Sequence, residues 1–115
     1  MPSDCIFCKI AAGEIPAKLV YQDEHVAAFH DIDPKAPVHV LIIPNHHVES
    51  LAALDSQDAE AVGRLLTVAD QVAQATGVAG SGYRVTFNVG RDAGMAVNHL
   101  HAHLLGGRKL GWPPG

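Results

Sequence analysis

Three histidines at alternate positions, His99, His101 and His103, are the residues of this sequence that most clearly point to chemistry. In a β-strand such residues share one face, with Cα atoms about 6.6–6.8 Å apart. Packing does not explain the pattern, because Val or Ile serves better on a strand face. It indicates either metal ligands or nucleophilic catalysis, in which a neutral imidazole nitrogen attacks phosphorus. A half-exposed strand that is rich in histidine by chance is the third interpretation.

A second group of candidate residues combines Cys5 and Cys8 with the pair His46-His47. Two thiolates two residues apart, together with two imidazoles, can form a closed tetrahedral zinc site. The alternative is a pair of reduced cysteines that cap a short helix, with His47 packed on a sheet. A thioredoxin-like redox role is not favoured, since no strand precedes the two cysteines.

A glycine-bounded loop over residues 90–94 leads into the histidine segment and favours a phosphate site. Glycines allow backbone N–H groups to converge on an anion, and Asn88 adds an amide donor just before the loop. An ordinary hairpin loop is the alternative. The loop is not a Walker loop, because no Gly-Lys-Ser/Thr follows. Residues 80–82 do not form a dinucleotide-binding motif either, because they precede a strand and not a helix.

Two helices are expected to frame these candidate sites. The first covers residues 4–12, with Asp4 as its cap and Gly13 at its end. The second covers residues 55–76, with cap signals at Asp55 and Asp58 and a stop at Gly77. Its expected buried face carries six apolar residues at helical spacing, namely Val62, Leu65, Leu66, Ala69, Val72 and Ala73.

Five strands are expected, over residues 18–21, 26–30, 38–43, 83–89 and 97–105. The first two form a hairpin. The third is bounded by Pro37 and Pro44, and its β-branched residues make it a central strand. The order of elements predicts an α+β fold with an antiparallel sheet of about five strands, one long helix and one short helix.

Length and composition limit the class of protein. The 115 residues predict a single domain over residues 1–115, and a hydrophobic fraction of 48% excludes disorder for most of it. The net charge is −4 and no Lys/Arg run occurs, so we expect no nucleic-acid partner. No signal peptide and no apolar run of about 20 residues is visible, so we expect a cytoplasmic protein without a membrane segment.

The sequence resembles the histidine triad superfamily, whose signature is His-x-His-x-His followed by apolar residues. It is most similar to the Hint branch of purine nucleoside phosphoramidases, from about residue 5 to residue 115. The matching segments are Ile6-Phe7-Cys8-Lys9-Ile10, Glu14-Ile15-Pro16-Ala17-Lys18, Ala28-Phe29-His30-Asp31-Ile32, Ala36-Pro37-Val38-His39 and Ile42-Ile43-Pro44. Two further segments are specific to this branch, Leu105-Gly106-Gly107-Arg108 and the tail Trp112-Pro113-Pro114-Gly115.

The resemblance implies a hydrolase that cleaves the P–N bond of purine nucleoside 5′-phosphoramidates through a nucleotidyl-histidine intermediate. It implies His101 as the nucleophile, with His99 and His103 beside it and His39 joining from the neighbouring strand. The α-phosphate would be held by Asn88, Gly94, Met95 and Ala96, and the ribose hydroxyls by Asp31. The base pocket would be lined by Ile6, Phe7, Ile10, Ile15, Phe29, His30 and Ile32, although the apolar members are equally good core residues.

The resemblance also implies a structural zinc ion on Cys5, Cys8, His47 and His99, with no cofactor required for the chemistry itself. It implies a homodimer with one continuous sheet, in which Trp112 lies near the partner's active site. The chain departs from the family at Met95 and Ala96, where Gln and then Ser or Thr are common, and Ala96 cannot supply a hydroxyl. Hydrolysis of diadenosine polyphosphates is an alternative activity. A nucleotide- or zinc-binding scaffold protein with little turnover is an alternative class.

Overall fold

The computed structural model describes residues 4–115, and its central feature is one five-stranded antiparallel sheet. The strands are β1 (Leu19–Gln22), β2 (Val26–His30), β3 (Val38–Pro44), β4 (Tyr83–Phe87) and β5 (Ala102–Gly106). Their order in the sheet is β1-β2-β3-β5-β4, with every neighbouring pair antiparallel. The predicted α+β class, the hairpin and the central position of β3 are therefore confirmed.

The sheet is covered on one face by a long helix, α2 (Ala59–Ala75). The helix follows a 3-10 turn, Ser56–Asp58, that is closed by the predicted Asp55–Asp58 capping box. Its buried residues are Leu65, Val68, Ala69, Val72 and Ala73. They pack on alternate residues of the strands, among them Val40, Ile42, Ala102 and Leu104, which are fully buried.

The other face of the sheet carries a smaller core and the histidines. A short helix, α1 (Ile6–Ala11), packs Phe7 and Ile10 against Ala27, Phe29, Leu41 and Ile43. Because strand residues alternate between faces, His39 of β3 and His103 of β5 lie on this side of the sheet. No helix within residues 4–115 has the length and apolar character needed to cross a membrane.

Both predicted helix ranges were too long, since α1 covers only Ile6–Ala11 and α2 only Ala59–Ala75, and two further details need correction. The cap of α1 is Cys5, whose sulphur accepts from the backbone N–H of Cys8, and not Asp4. On α2, Leu66 is 49% exposed and Val68 takes its place in the core. Residue 66 lies one step, about 100°, around the helix from Leu65, which turns it away from the sheet.

Two strand predictions were too long. The strand predicted to reach residue 89 ends at Phe87, and Val89 is exposed. The strand predicted from residue 97 begins only at Ala102, because the preceding residues form other bonds. The backbone N–H of Leu100 donates to Val48 O at 2.6 Å, and the ring of His99 turns towards the two cysteines. The three histidines therefore do not share one strand.

Candidate active site

The histidine segment takes part in two clusters of side chains. His103 lies in β5, paired with Leu41 on one side and Thr86 on the other. His101 directly precedes the strand, and its ring centroid is 4.9 Å from that of His103. His99 is completely buried and belongs to a separate cluster with the cysteines. The predicted grouping of the three imidazoles is thus correct for His101 and His103 but not for His99.

The proton on His101 is placed by a backbone carbonyl. Nδ1 of His101 lies 2.7 Å from His99 O, and a carbonyl oxygen can only accept, so Nδ1 carries the proton. In the neutral ring the lone pair is then on Nε2. The edge of Phe7 supports the ring, with centroids 5.2 Å apart and planes at 83°. His101 is thus a fixed, 93% buried imidazole, and its neutral form has the lone pair on Nε2.

A chain of hydrogen bonds runs from the backbone of Lys35 through His39 in β3 to His103 in β5. The backbone N–H of Lys35 donates to Nδ1 of His39 at 3.0 Å, so the proton of His39 lies on Nε2. Nε2–H of His39 then donates to Nδ1 of His103 at 2.9 Å. This leaves the proton of His103 on its own Nε2. We refer to Lys35 N–H, His39 and His103 as the relay.

Burial keeps both imidazoles of the relay neutral. Desolvation lowers the pKa of His103 to about 4, helped by repulsion from His101 and His39. Desolvation also lowers the pKa of His39, against the opposing attraction of Asp31. Nε2–H of His103 is buried without a hydrogen-bond partner in residues 4–115. A buried donor without a partner costs about 1–3 kcal/mol, which indicates that a ligand completes it.

A cavity of about 330 Å³ lies beside the relay. Its lining residues are Asp31, Asp33, Lys35, His39, Thr86, Asn88, His103 and Leu105. Asp31 Oδ2 is 3.5 Å from Nε2 of His39, so a carboxylate and two imidazoles meet here. A metal ion at this point would need a lone pair on Nε2 of His39. That nitrogen carries a proton instead, because Lys35 N–H donates to Nδ1 of the same ring. This group therefore favours hydrogen bonding to a ligand over metal binding.

The second cluster consists of Cys5, Cys8, His47 and His99. Their ligand atoms all lie within 4.8 Å of one another, and the set could hold a metal ion. Nδ1 of His99 is 3.3 Å from Cys5 Sγ, 3.5 Å from Cys8 Sγ and 3.2 Å from Nδ1 of His47. Nε2–H of His99 donates to Pro44 O at 2.8 Å, so the lone pair of Nδ1 points at the thiols. Both cysteines are free.

Charge in the second cluster depends on what it binds. Burial, followed by the hydrogen bond and the charge of Cys5, raises the pKa of the Cys8 thiol to about 11. Burial likewise lowers the pKa of His99. Without a cation, Cys8 therefore keeps its thiol proton and His99 stays neutral at pH 7, and a bound metal ion would displace the proton of Cys8.

The residues predicted to bind nucleotide are not all brought together. Asp31 and Asn88 line the cavity, whereas Gly94, Met95 and Ala96 belong to a neighbouring, mostly exposed turn that does not line it. Of the seven predicted base-pocket residues, the structure buries Phe7, Ile10 and Phe29 in the core and leaves Ile15 partly buried. Ile6, His30 and Ile32 are exposed, and Ile32 fully so. Trp112 is 82% exposed, with the Arg84 guanidinium 5.9 Å from its ring centre.

Sequence reasoning missed four of the residues that line the cavity, namely Asp33, Lys35, Thr86 and Leu105. Lys35 acts through its backbone N–H, and a backbone contact leaves no mark in the choice of residue. Thr86 could have been found from the alternation of β4. Tyr83, Val85 and Phe87 pack on the core under α2, which leaves Thr86 on the face of the histidines.

Comparison with known proteins identifies the family. A family model for the HIT domain matches residues 12–110 of this chain. Purine nucleoside phosphoramidase of Escherichia coli (strain K12) is 47% identical over 111 residues, which are 96% of this chain and 93% of that protein. Among solved structures, a HIT family hydrolase from Legionella pneumophila Philadelphia 1 has a TM-score of 0.95 and 48% identity, covering 97% of this chain and 100% of that one. A histidine triad protein from Clostridium difficile has a TM-score of 0.93 and 43% identity, with 96% of each chain covered. The chain belongs to the HIT domain family.

Proposed function

We propose that the chain hydrolyses purine nucleoside 5′-phosphoramidates to a nucleoside monophosphate and an amine. The observation that carries this proposal is the arrangement of the His101 and His103 rings. His101 presents a lone pair on Nε2, and His103 presents a buried, unpaired N–H close by. A nucleophile beside a hydrogen-bond donor for the phosphoryl oxygen, where negative charge develops, suits cleavage of a P–N bond. The similarity to purine nucleoside phosphoramidase supports the choice of substrate.

In the first step, Nε2 of His101 attacks the α-phosphorus and a P–Nε2 bond forms. The P–N bond to the amine breaks, and the departing nitrogen takes a proton from solvent. Nε2–H of His103 stays on the ring and donates a hydrogen bond to a phosphoryl oxygen, because Nε2–H of His39 holds Nδ1 of His103 as an acceptor. The fixed tautomers mean that no proton must be relocated before the reaction, which is the benefit of preorganisation.

In the second step, water attacks the phosphorus of the nucleotidyl-histidine and the P–Nε2 bond breaks. The attacking water releases a proton to solvent, which balances the proton taken up by the amine, so the relay begins the next cycle unchanged. The products are the nucleoside monophosphate and free His101. The hydrogen bond from Nδ1–H of His101 to His99 O holds the ring in the attacking orientation in both steps.

Nucleotide binding is assigned to the residues around the cavity. The amide of Asn88 and the turn at Gly94, Met95 and Ala96 would hold the α-phosphate, and Asp31 would accept from the ribose hydroxyls. Apolar side chains of α1 and β2 would support the base, with Ile32 and His30 at the exposed rim. Positioning and charge stabilisation supply most of the rate in phosphoryl transfer, so these contacts matter as much as the nucleophile.

We further propose that the second cluster binds one structural zinc ion. Zinc bonds of about 2.3 Å to sulphur and 2.0–2.1 Å to nitrogen place tetrahedral ligands about 3.3–3.8 Å apart. Four of the six separations between the ligand atoms are 3.2–3.5 Å, close to that geometry, and all six are within 4.8 Å. Zinc would fix α1 to the histidine segment through Cys5, Cys8, His47 and His99. It takes no part in the steps above, which need no cofactor.

We also propose a homodimer that works in the cytoplasm. The sheet ends in two edge strands, and β1 is short and irregular, with a register shift between Leu19 and Tyr21. The edge of β4 is regular over Tyr83–Phe87 and is the better surface for pairing with a second copy. Trp112 stands exposed beside Arg84 of that strand, where a partner could cover it. Thiol ligands for zinc suit a reducing compartment.

Turnover of a fluorogenic adenosine phosphoramidate, measured beside a diadenosine polyphosphate, tests the proposed activity. Release of AMP from the phosphoramidate, together with loss of that release in the variant His101→Ala, is the expected result. Preferential cleavage of the dinucleotide would establish the alternative hydrolase. Nucleotide binding without turnover of either compound would establish a binding protein, an outcome that the missing hydroxyl at Ala96 makes worth testing.

A further inference from the structure

Thr86 is a hydroxyl-bearing residue on the active-site face of the sheet. It is one of three threonines in the chain. The hydroxyls of Thr67 and Thr76 donate to carbonyls of their own helix, Gly63 O and Val72 O. The hydroxyl of Thr86 bonds to no other group in residues 4–115, and it therefore remains available to a ligand.

Strand register places Thr86 directly beside the relay. It is paired with His103 across the antiparallel strands β4 and β5, and directly paired residues lie on the same face with Cβ atoms about 4.5–5.5 Å apart. Both residues line the 330 Å³ cavity, as does Asn88, which follows two positions later. One wall of the cavity therefore carries three donors, namely the hydroxyl of Thr86, the amide of Asn88 and Nε2–H of His103.

Three neutral donors that face one cavity suit an anionic oxygen ligand. The N–H of His103 is buried and unpaired, so this wall lacks the acceptor that would complete it. No hydroxyl comes from the adjacent turn, because residue 96 is alanine. We propose that the Thr86 hydroxyl binds a phosphoryl oxygen of the nucleotide, together with Nε2–H of His103. This inference rests on the proposed function, since it assumes that a nucleotide phosphate occupies the cavity.

The variant Thr86→Val tests the inference, because it removes the hydroxyl while keeping the β-branched shape that suits a strand. The probe is AMP, with affinity measured by isothermal titration calorimetry on the full chain. One lost hydrogen bond should weaken AMP binding about 3- to 10-fold. The variant Thr86→Ser restores the hydroxyl and should bind within about twofold of the wild type. Thr67→Val makes the same chemical change on the opposite side of the molecule and should leave the affinity unchanged.

Adenosine, which lacks the phosphate, separates a phosphoryl contact from a general change of the cavity. Its affinity should be equal for the wild type and Thr86→Val. The inference is overturned if Thr86→Val binds AMP as tightly as the wild type. It is also overturned if Thr86→Ser binds as weakly as Thr86→Val, or if adenosine binding falls in parallel with AMP binding. A wild-type protein that binds no AMP would instead contradict the proposed function.

Discussion

Replacing His39 by alanine should slow turnover strongly without abolishing it. His39 is 95% buried and bridges Lys35 N–H and Nδ1 of His103 by bonds of 3.0 and 2.9 Å. The variant leaves Nδ1 of His103 without its donor, so the proton is no longer held on Nε2. An unsatisfied group of this kind costs about 1–3 kcal/mol, which corresponds to about a 5- to 150-fold loss in kcat/KM.

Steady-state hydrolysis of the adenosine phosphoramidate gives the rate, and ¹⁵N NMR of the imidazoles gives the tautomer of His103. The ¹⁵N spectrum should show His103 protonated on Nε2 in the wild type and mixed in His39→Ala. His25→Ala removes an exposed histidine from a turn outside the site and serves as the matched control. Unchanged kcat/KM in His39→Ala would refute the relay. A loss as complete as that of His101→Ala would show that His39 does more than position a proton.

Three other predictions concern the metal, the pH dependence and the tail. Purified protein should contain close to one zinc ion per chain by elemental analysis, and Cys5→Ser should lose it while keeping most of its turnover. Burial lowers the pKa of His103 to about 4 and also lowers that of His39. As the pH falls, the unfolded chain therefore takes up protons on these histidines at a higher pH than the folded chain does. The free energy of unfolding should therefore decrease from about pH 6.5 towards pH 4, and a flat profile in urea denaturation would contradict this. Deleting residues 112–115 should change the preference among leaving amines, and light scattering should show a dimer at micromolar concentration; an unaltered preference or a monomer would speak against the proposed role of Trp112.

The α+β fold was predictable because the local signals agree with one another. The Asp55–Asp58 cap, the stop at Gly77 and the helical spacing of apolar residues define one helical segment, which the structure forms as the 3-10 turn followed by α2 (Ala59–Ala75). Likewise, β3 carries the most β-branched segment and lies in the middle of the sheet. Buried faces produce a periodic sequence, so the elements with buried faces could be located.

The extent of the histidine strand was not predictable, because it depends on distant contacts. Alternation from His99 to His103 is compatible with a strand, but the ring of His99 bonds to Pro44 O and contacts Cys5, 94 residues away along the chain. The N–H of Leu100 likewise donates to Val48 O, a partner that no local sequence pattern reveals. These contacts divide the histidines between two clusters, and only tertiary structure could show that division.

The imidazoles of the relay were foreseen, but its backbone donor Lys35 N–H and the positions of its protons were not. The roles of His39, His101 and His103 came from resemblance to a family, whereas the position of each proton follows from Lys35 N–H and His99 O. Both of these groups belong to the backbone, which every residue carries. Resemblance therefore indicated which imidazoles meet, and geometry was needed to say which nitrogen of each ring carries the lone pair.

The covalent step at His101 is tested most directly by trapping the intermediate. Excess enzyme is mixed with an adenosine phosphoramidate, quenched within the first turnover and analysed by intact mass and peptide mapping. The account predicts an adenosine monophosphoryl adduct on the peptide that contains His101, at its Nε2. The variant His101→Ala should form no adduct while still binding AMP. An adduct on another residue, or near-normal turnover by His101→Ala, would contradict the account.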